Sequence, residues 1–238
     1  MDCLNPETAN IGFGVMDFFS FYRLGEAALV CSPELPQSLQ TQQRIWQMVV
    51  MVKQWPEVVE IIPGMNNLTL IFDPAMTDVA ALEQRFRSIA QQPIFSTVQI
   101  GKLVEIPVCY GGVNGVDLET VANFSGLTTD EVIHLHSSTE YMVYFTGFQA
   151  GFAYLGELDV RLHMPRRADP RILVPAGSVA IGGAVTGIYP QASPGGWNLI
   201  GCCNRALFDP KRQPPALLQA GDIVRFIPVT EFSSARYD

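Results

Sequence analysis

Residues 147–209 decide the fold. They contain Gly147-Phe148-Gln149-Ala150-Gly151-Phe152-Ala153-Tyr154-Leu155, then Pro165-Arg166-Arg167 and Pro170-Arg171. Val174-Pro175-Ala176-Gly177-Ser178-Val179, Thr186-Gly187-Ile188-Tyr189-Pro190 and Ser193-Pro194-Gly195-Gly196-Trp197 follow. Proline removes a backbone donor and glycine raises the entropy cost of ordering, so the segment is not a helix. Phe148, Phe152, Tyr154, Leu155, Tyr189 and Trp197 carry too much apolar surface for a disordered chain. Short strands joined by stiff loops remain, presenting backbone amides and arginines from fixed positions, as a binding site requires.

On either side the pattern continues as strands with few helices. Lys102 to Tyr110 reads as a strand closed by Gly111-Gly112, Asp117 to Phe124 and Thr129 to His136 as short helices, and Tyr141 to Phe145 as a core strand. Thr128-Thr129-Asp130-Glu131 supplies hydroxyls and acids suited to a helix N-terminus. Asp222 to Val229 gives a last strand, and residues 101–230 together read as a mainly-β barrel domain. Residues 19–100 read differently. Phe19 to Arg23 and Ala27 to Cys31 pair near Gly25, and Val58 to Ile62 and Leu68 to Phe72 flank the turn Pro63-Gly64-Met65-Asn66-Asn67. A helix over Leu39 to Trp55 places Ile45, Met48, Val49 and Val52 on one face and stops at Pro56; a second runs from Asp78 to Ala90. Two helices over an antiparallel sheet make a ferredoxin-like α+β layer. Residues 1–18 hold no persuasive pattern.

Composition narrows the function classes. The net charge is −8, and the 15 basic residues form no run longer than Arg166-Arg167, which argues against a nucleic-acid partner. Asp17, Arg23 and Glu26 interrupt the apolar stretch at residues 11–30, and no basic leader precedes it, so neither a membrane span nor a signal peptide is expected. Five cysteines without CxxC spacing fit a reduced, cytoplasmic compartment.

Phosphate-loop, GxSxG and HExxH signatures are absent. His134 and His136 diverge on a helix and cannot share a metal, so no metal site is expected. His136 is the candidate for a polar contact or proton transfer, against the plainer reading of a helix-ending histidine facing the negative dipole. Arg166, Arg167 and Arg171 sit beside prolines and can grip a carboxylate or phosphate, or can be solvated surface. Ser178 is read as binding a backbone or ligand group, Trp197 as core or pocket wall, and Cys202-Cys203 as small buried hydrophobes.

The ordered motifs resemble the family of 5-oxoprolinase B subunits, which includes KipI-type kinase inhibitors and allophanate hydrolase subunit 1 proteins. The likeness runs from Pro63-Gly64-Met65-Asn66-Asn67 and Phe72-Asp73-Pro74 through Glu105-Ile106-Pro107-Val108, Tyr110-Gly111-Gly112 and His136-Ser137-Ser138 to Ser193-Pro194-Gly195-Gly196-Trp197, covering roughly 20–229. It implies a cyclophilin-like barrel and ATP-dependent opening of 5-oxoproline to glutamate. It also implies an ATP site shared with a partner, the A and C subunits as partners, a small lactam substrate, and no turnover by this chain alone. His136, Arg166 and Arg171 would then be catalytic; Phe152, Ser178, Thr186, Tyr189, Gly195, Gly196 and Trp197 would bind substrate. Ala150, Val185 and Cys202-Cys203 depart from the family's usual Pro, Gln and Arg or His. The alternative the resemblance allows is a regulatory module that binds and inhibits a histidine kinase; the fold class alone suggests a prolyl isomerase, a weaker argument.

Overall fold

The computed structural model describes residues 19–34, 38–93 and 101–232; Cys3 and the patternless stretch 1–18 lie outside them. The first unit runs β1 (Phe19–Leu24), β2 (Ala28–Pro33), α1 (Leu39–Val52), β3 (Val58–Gly64), β4 (Asn67–Phe72) and α2 (Val79–Ala90). Its strands form one antiparallel sheet in the order β1-β2-β4-β3. Alternation in β4 buries Leu68, Leu70 and Phe72 on one face, where they meet Ile45, Met48 and Val52 of α1 and Leu82, Phe86 and Ile89 of α2. The apolar spacing along both helices is what seals this layer. Ser38 and Asp78 cap the two helices through the amides of Thr41, Ala80 and Ala81. α1 ends at Val52, three residues before Trp55.

The second unit contains β5 (Leu103–Tyr110), α3 (Leu118–Ser125), α4 (Thr129–Ser138), β6 (Glu140–Thr146) and β7 (Ala153–Leu155). It continues through β8 (Arg171–Val174), β9 (Ser178–Gly182), β10 (Val185–Ile188), β11 (Ser193–Gly195), β12 (Asn198–Cys202) and β13 (Ile223–Pro228). Seven strands close a barrel in the order β10-β7-β6-β13-β5-β12-β9, while β8 and β11 form a separate ribbon. Closure leaves no open edge among those seven. The interior is filled by Ile106, Val108, Val143, Leu155, Ile181, Ile200 and Phe226, and the same cluster takes in Val121 of α3 and Val132 of α4. Thr128 and Glu131 form a reciprocal capping box at the start of α4.

Two features position everything that follows. β6 is apolar on both faces because both are covered: Tyr141 and Val143 face the barrel, whereas Met142, Tyr144 and Phe145 pack beside Leu39, Trp46 and Met65 of the first unit. A register irregularity between Val143 and Phe145 takes Tyr144 out of the ladder with β7. Its carbonyl accepts instead from Trp46 Nε1 (2.8 Å) and Gln42 Nε2 (3.1 Å), tying the two units together. The second feature lies on the outside of the barrel wall. Trp197 lies across Gly182, where an added Cβ would come within 2.6 Å of the indole. Phe152, Tyr189, Val174 and Leu199 complete that outer aromatic layer.

Gly182→Ala tests this packing. It forces the indole off the strand and should lower stability by about 1–3 kcal/mol in urea unfolding, the usual cost of overfilling a packed site; an unchanged midpoint would contradict the close approach.

Candidate functional site

The seam between the two units opens into a cleft with two neighbouring hollows. One, of about 440 Å³, is lined by Met65, Phe145, Tyr154, Arg166 and Gly182 to Val185. Met65 comes from the β3–β4 hairpin, whose turn places Asn66 at φ 52°. Phe145 and Tyr154 stack with centroids 4.3 Å apart and form an aromatic wall. Arg166 is exposed and makes no hydrogen bond or ion pair with the described residues. A guanidinium beside an aromatic wall suits a small anion with an apolar body. The second hollow, of about 390 Å³, shares Ala184 and adds Ser38, Leu39, Gln40, Tyr144, Glu157, Leu158 and His163.

Of the residues that sequence reasoning assigned to a site, only Arg166 lines this cleft. His136 is wholly buried inside the barrel, stacked on Phe226. Thr186 Oγ1 donates to the Ala180 carbonyl (2.9 Å), so it accepts from His136 Nε2–H (2.8 Å). Nδ1 is then the acceptor for the Tyr110 hydroxyl (2.8 Å), and the His136 carbonyl takes the Tyr141 hydroxyl (2.9 Å). Burial drives the imidazole pKa down to about 3, so the ring is neutral, with both nitrogens occupied and out of reach of a solvent-borne substrate. Thr186 is spent on the same network. As placed, His136 and Thr186 hold the barrel together rather than meet a guest.

Arg171 is also diverted. It donates to Asp117 (2.7 Å), which takes Arg167 (3.3 Å) and the Leu199 amide (2.7 Å) as well. Asp117 is 4% exposed, and these partners replace the water that so enclosed a carboxylate has lost. The pair therefore pins the start of β8 to the start of α3. Phe152, Tyr189 and Trp197 are buried in the outer aromatic layer, and Ser178 is buried in β9 opposite Cys202. A Cβ on Gly195 would strike the Tyr189 ring, and the Gly196 carbonyl accepts the Arg167 amide, so both glycines serve packing of the hairpin. Cys202 is partly exposed, and Cys31 and Cys203 are buried free thiols whose pKa burial pushes up to about 12, as inert cysteines require. Among the described residues no group of three His, Cys, Asp or Glu could hold a metal, and no helix is long and apolar enough to cross a membrane.

The carboxyltransferase domain family, subdomains C and D, matches residues 19–218. The chain is 50% identical to the 5-oxoprolinase B subunit of Escherichia coli over 88% of its own length and 96% of that protein. The chain belongs to the family of 5-oxoprolinase B subunits. The crystal structure of TTHA0988 is 34% identical with a TM-score of 0.72; it matches 88% of this chain, which spans 41% of that longer one. Kluyveromyces lactis urea carboxylase shares the fold at 21% identity and a TM-score of 0.77, over 91% of this chain and 22% of that one.

The positions that depart from the 5-oxoprolinase family pattern fall in different places. Ala150 sits on an exposed turn and Cys202 faces Cys109 across β12 and β5, whereas Val185 lines the Arg166 hollow. Sequence reasoning gave no site role to Asp117, Glu157 or Tyr144, and preferred His136 to His163 as the single histidine candidate. The available signal for Asp117 was an acid at a helix start; Glu157, with Asp159 and Arg161 close by in a charged stretch, carried none.

The buried histidine makes a pH prediction. In the unfolded chain its ring takes a proton near pH 6.5, while the folded ring stays neutral down to about pH 3. Below pH 6.5 the unfolded state binds more protons, so this group's stabilisation is lost as pH falls, by at most about 1.4 kcal/mol per unit. His136→Gln removes that dependence. The gap between wild-type and variant unfolding free energies should narrow by roughly 2–3 kcal/mol from pH 7.5 to 4.5; a constant gap would contradict the placement.

Proposed function

We propose that this chain is the B component of an ATP-dependent 5-oxoprolinase, opening 5-oxo-L-proline to L-glutamate with A and C subunits. Family membership over nearly the full length of the Escherichia coli B subunit carries this reading. The cleft supports it. Arg166 takes the substrate carboxylate through parallel charge-assisted hydrogen bonds, and the lactam ring lies against Tyr154 and Phe145. Val185, where the family motif has an amide, leaves recognition to that charge and to the backbone of Gly182 to Val185.

The described residues do not by themselves fit ATP. Arg167 and Arg171 are committed to Asp117, and among the described residues no cluster of three His, Cys, Asp or Glu could hold a metal ion. We therefore assign nucleotide binding to a surface completed by the partner, and no turnover to this chain alone. Ile172 and Leu173, 90% and 65% exposed on the β8–β11 ribbon, support such a partner, since exposed neighbouring apolar side chains mark interaction surfaces. We read the barrel over 101–230 as cyclophilin-like. We read the layer over 19–100 as ferredoxin-like, because its strand order is that of a βαββαβ layer whose last strand comes first in the chain.

Mixed with its A and C subunits, ATP and 5-oxoproline, the chain should release glutamate; a complete mixture that releases none would refute the substrate. Arg166→Ala should lower kcat/KM for 5-oxoproline by roughly tenfold to a hundredfold, mainly through KM, matching one lost charge-assisted contact of about 1.5–3 kcal/mol. Asp in place of Ile172 and Leu173 together should abolish co-purification with the C component while the isolated chain unfolds at an unchanged midpoint.

A further inference from the structure

The second hollow of the cleft contains an arrangement that no residue pattern announced. Glu157 is not glycine, yet its backbone sits at φ 70°, in the left-handed region. Side chains rarely tolerate that conformation unless the surroundings impose it, and such outliers gather at functional sites. Here the surroundings are specific. The preceding residue is Gly156, and any Cβ there would run into the Tyr144 ring, so glycine lets that ring lie across the backbone. The Tyr144 hydroxyl then reaches Glu157 Oε1 at 2.5 Å. Tyr144 is 2% exposed; burial and the adjacent carboxylate both push its pKa up, so it is a fixed neutral donor. Oε1 is thereby occupied, whereas Oε2 has no hydrogen-bond partner among the described residues. His163 closes the other side. Its Nε2 donates to the Leu158 carbonyl (3.0 Å), which fixes the tautomer and leaves Nδ1 as an open acceptor.

We infer that Glu157 is the general base of this cleft, with Tyr144 as its positioning residue. This rests on the 5-oxoprolinase reading; Ala184, which lines both hollows, joins the Arg166 end of the cleft to the Glu157 end. Glu157 Oε2 takes a proton from water as the water oxygen bonds to the lactam carbonyl carbon and the carbonyl π pair moves to its oxygen. When that pair returns and the ring C–N bond breaks, the nitrogen leaves with the electron pair and recovers the proton from Glu157. The sum of this ring-opening step is lactam plus water to amino acid, with the carboxylate regenerated; the hydrolysis of ATP to ADP and phosphate that drives the complex belongs to the partner-completed surface. His163 Nδ1 accepts the second hydrogen of the same water. A carboxylate tied at one oxygen and open at the other is suited to this task, because its orientation is set before substrate arrives.

The test uses the reconstituted complex. Glu157→Gln keeps the shape and the Tyr144 contact while removing the base. It should lower kcat by roughly 10²–10⁴-fold with KM for 5-oxoproline within about threefold. Tyr144→Phe should lower kcat by roughly tenfold while KM for 5-oxoproline stays within about threefold, because the acid is then no longer held at Oε1 before substrate arrives. A role confined to structure does not lower kcat selectively over KM in the assembled complex. An assembled Glu157→Gln complex turning over within threefold of wild type, or an unchanged kcat in an assembled Tyr144→Phe complex, overturns the assignment. If the wild-type complex itself makes no glutamate, the parent reading fails and this inference with it; a working wild type isolates the question to Glu157.

Discussion

The Tyr144 carbonyl is the constraint on which the cleft depends. A strand carbonyl ordinarily bonds to its neighbour, and leaving one buried and unpaired costs about 1–3 kcal/mol. The irregularity in β6 releases this one from the ladder, and Trp46 and Gln42 of α1 supply the missing donors. Those bonds lock helix α1 against the barrel at one angle. The same displaced residue sends its side chain to Glu157. One irregular residue thus fixes both the separation of the walls and the orientation of the acid between them. A β-bulge that re-aims a side chain beside a site is a recurrent device, and here it also carries the domain contact.

The barrel interior shows the opposite use of polarity. His136, Thr186 and Tyr110 could in principle be reactive, yet each donor finds an acceptor and each acceptor a donor, ending at the Ala180 carbonyl. A saturated buried network specifies one packing and has no capacity left for a ligand. The Asp117 cluster follows the same logic at the surface end of α3: two arginines and an amide converge on one enclosed carboxylate. In the cleft, by contrast, Arg166 and Glu157 Oε2 keep unfilled capacity.

Much of the fold was legible because local pattern and final environment agree. The apolar spacing of Ile45, Met48 and Val52 produced a helix with that face buried, and Thr128 with Glu131 formed the cap their spacing suggests. Tyr141 to Phe145 read as core because its alternation is lost, and it is core on two sides at once. The Gly- and Pro-rich segment did give short strands and stiff turns, but its aromatics and glycines were fitted to one another: Trp197 needs Gly182, and Tyr189 needs Gly195. Residue type alone does not separate a pocket wall from this internal packing. Arg171 was legible as a rigidly held guanidinium, whereas its partner lies 54 residues earlier in the chain. Tyr144 and Glu157 could not be paired from sequence at all, since their contact exists only after β6 departs from its register.

The substitution at Val185 gains meaning from this geometry. An amide at that position would offer the hollow both a donor and an acceptor; valine offers neither, and an unpaired polar atom of a bound lactam would cost about 1–3 kcal/mol. On the proposed 5-oxoprolinase reading, selection of the guest then rests on the two features that remain, the Arg166 charge and the stacked Phe145–Tyr154 wall. Charge attraction reaches further than a hydrogen bond and is less particular about angle, so such a hollow admits small ring carboxylates more readily than it distinguishes among them. On the proposed role of Glu157, discrimination falls to the second hollow, where Tyr144 holds the acid and the Leu158 carbonyl holds His163. Under that proposal, binding tolerance at one end and geometric stringency at the other is the division of labour that a lost amide would impose on this cleft.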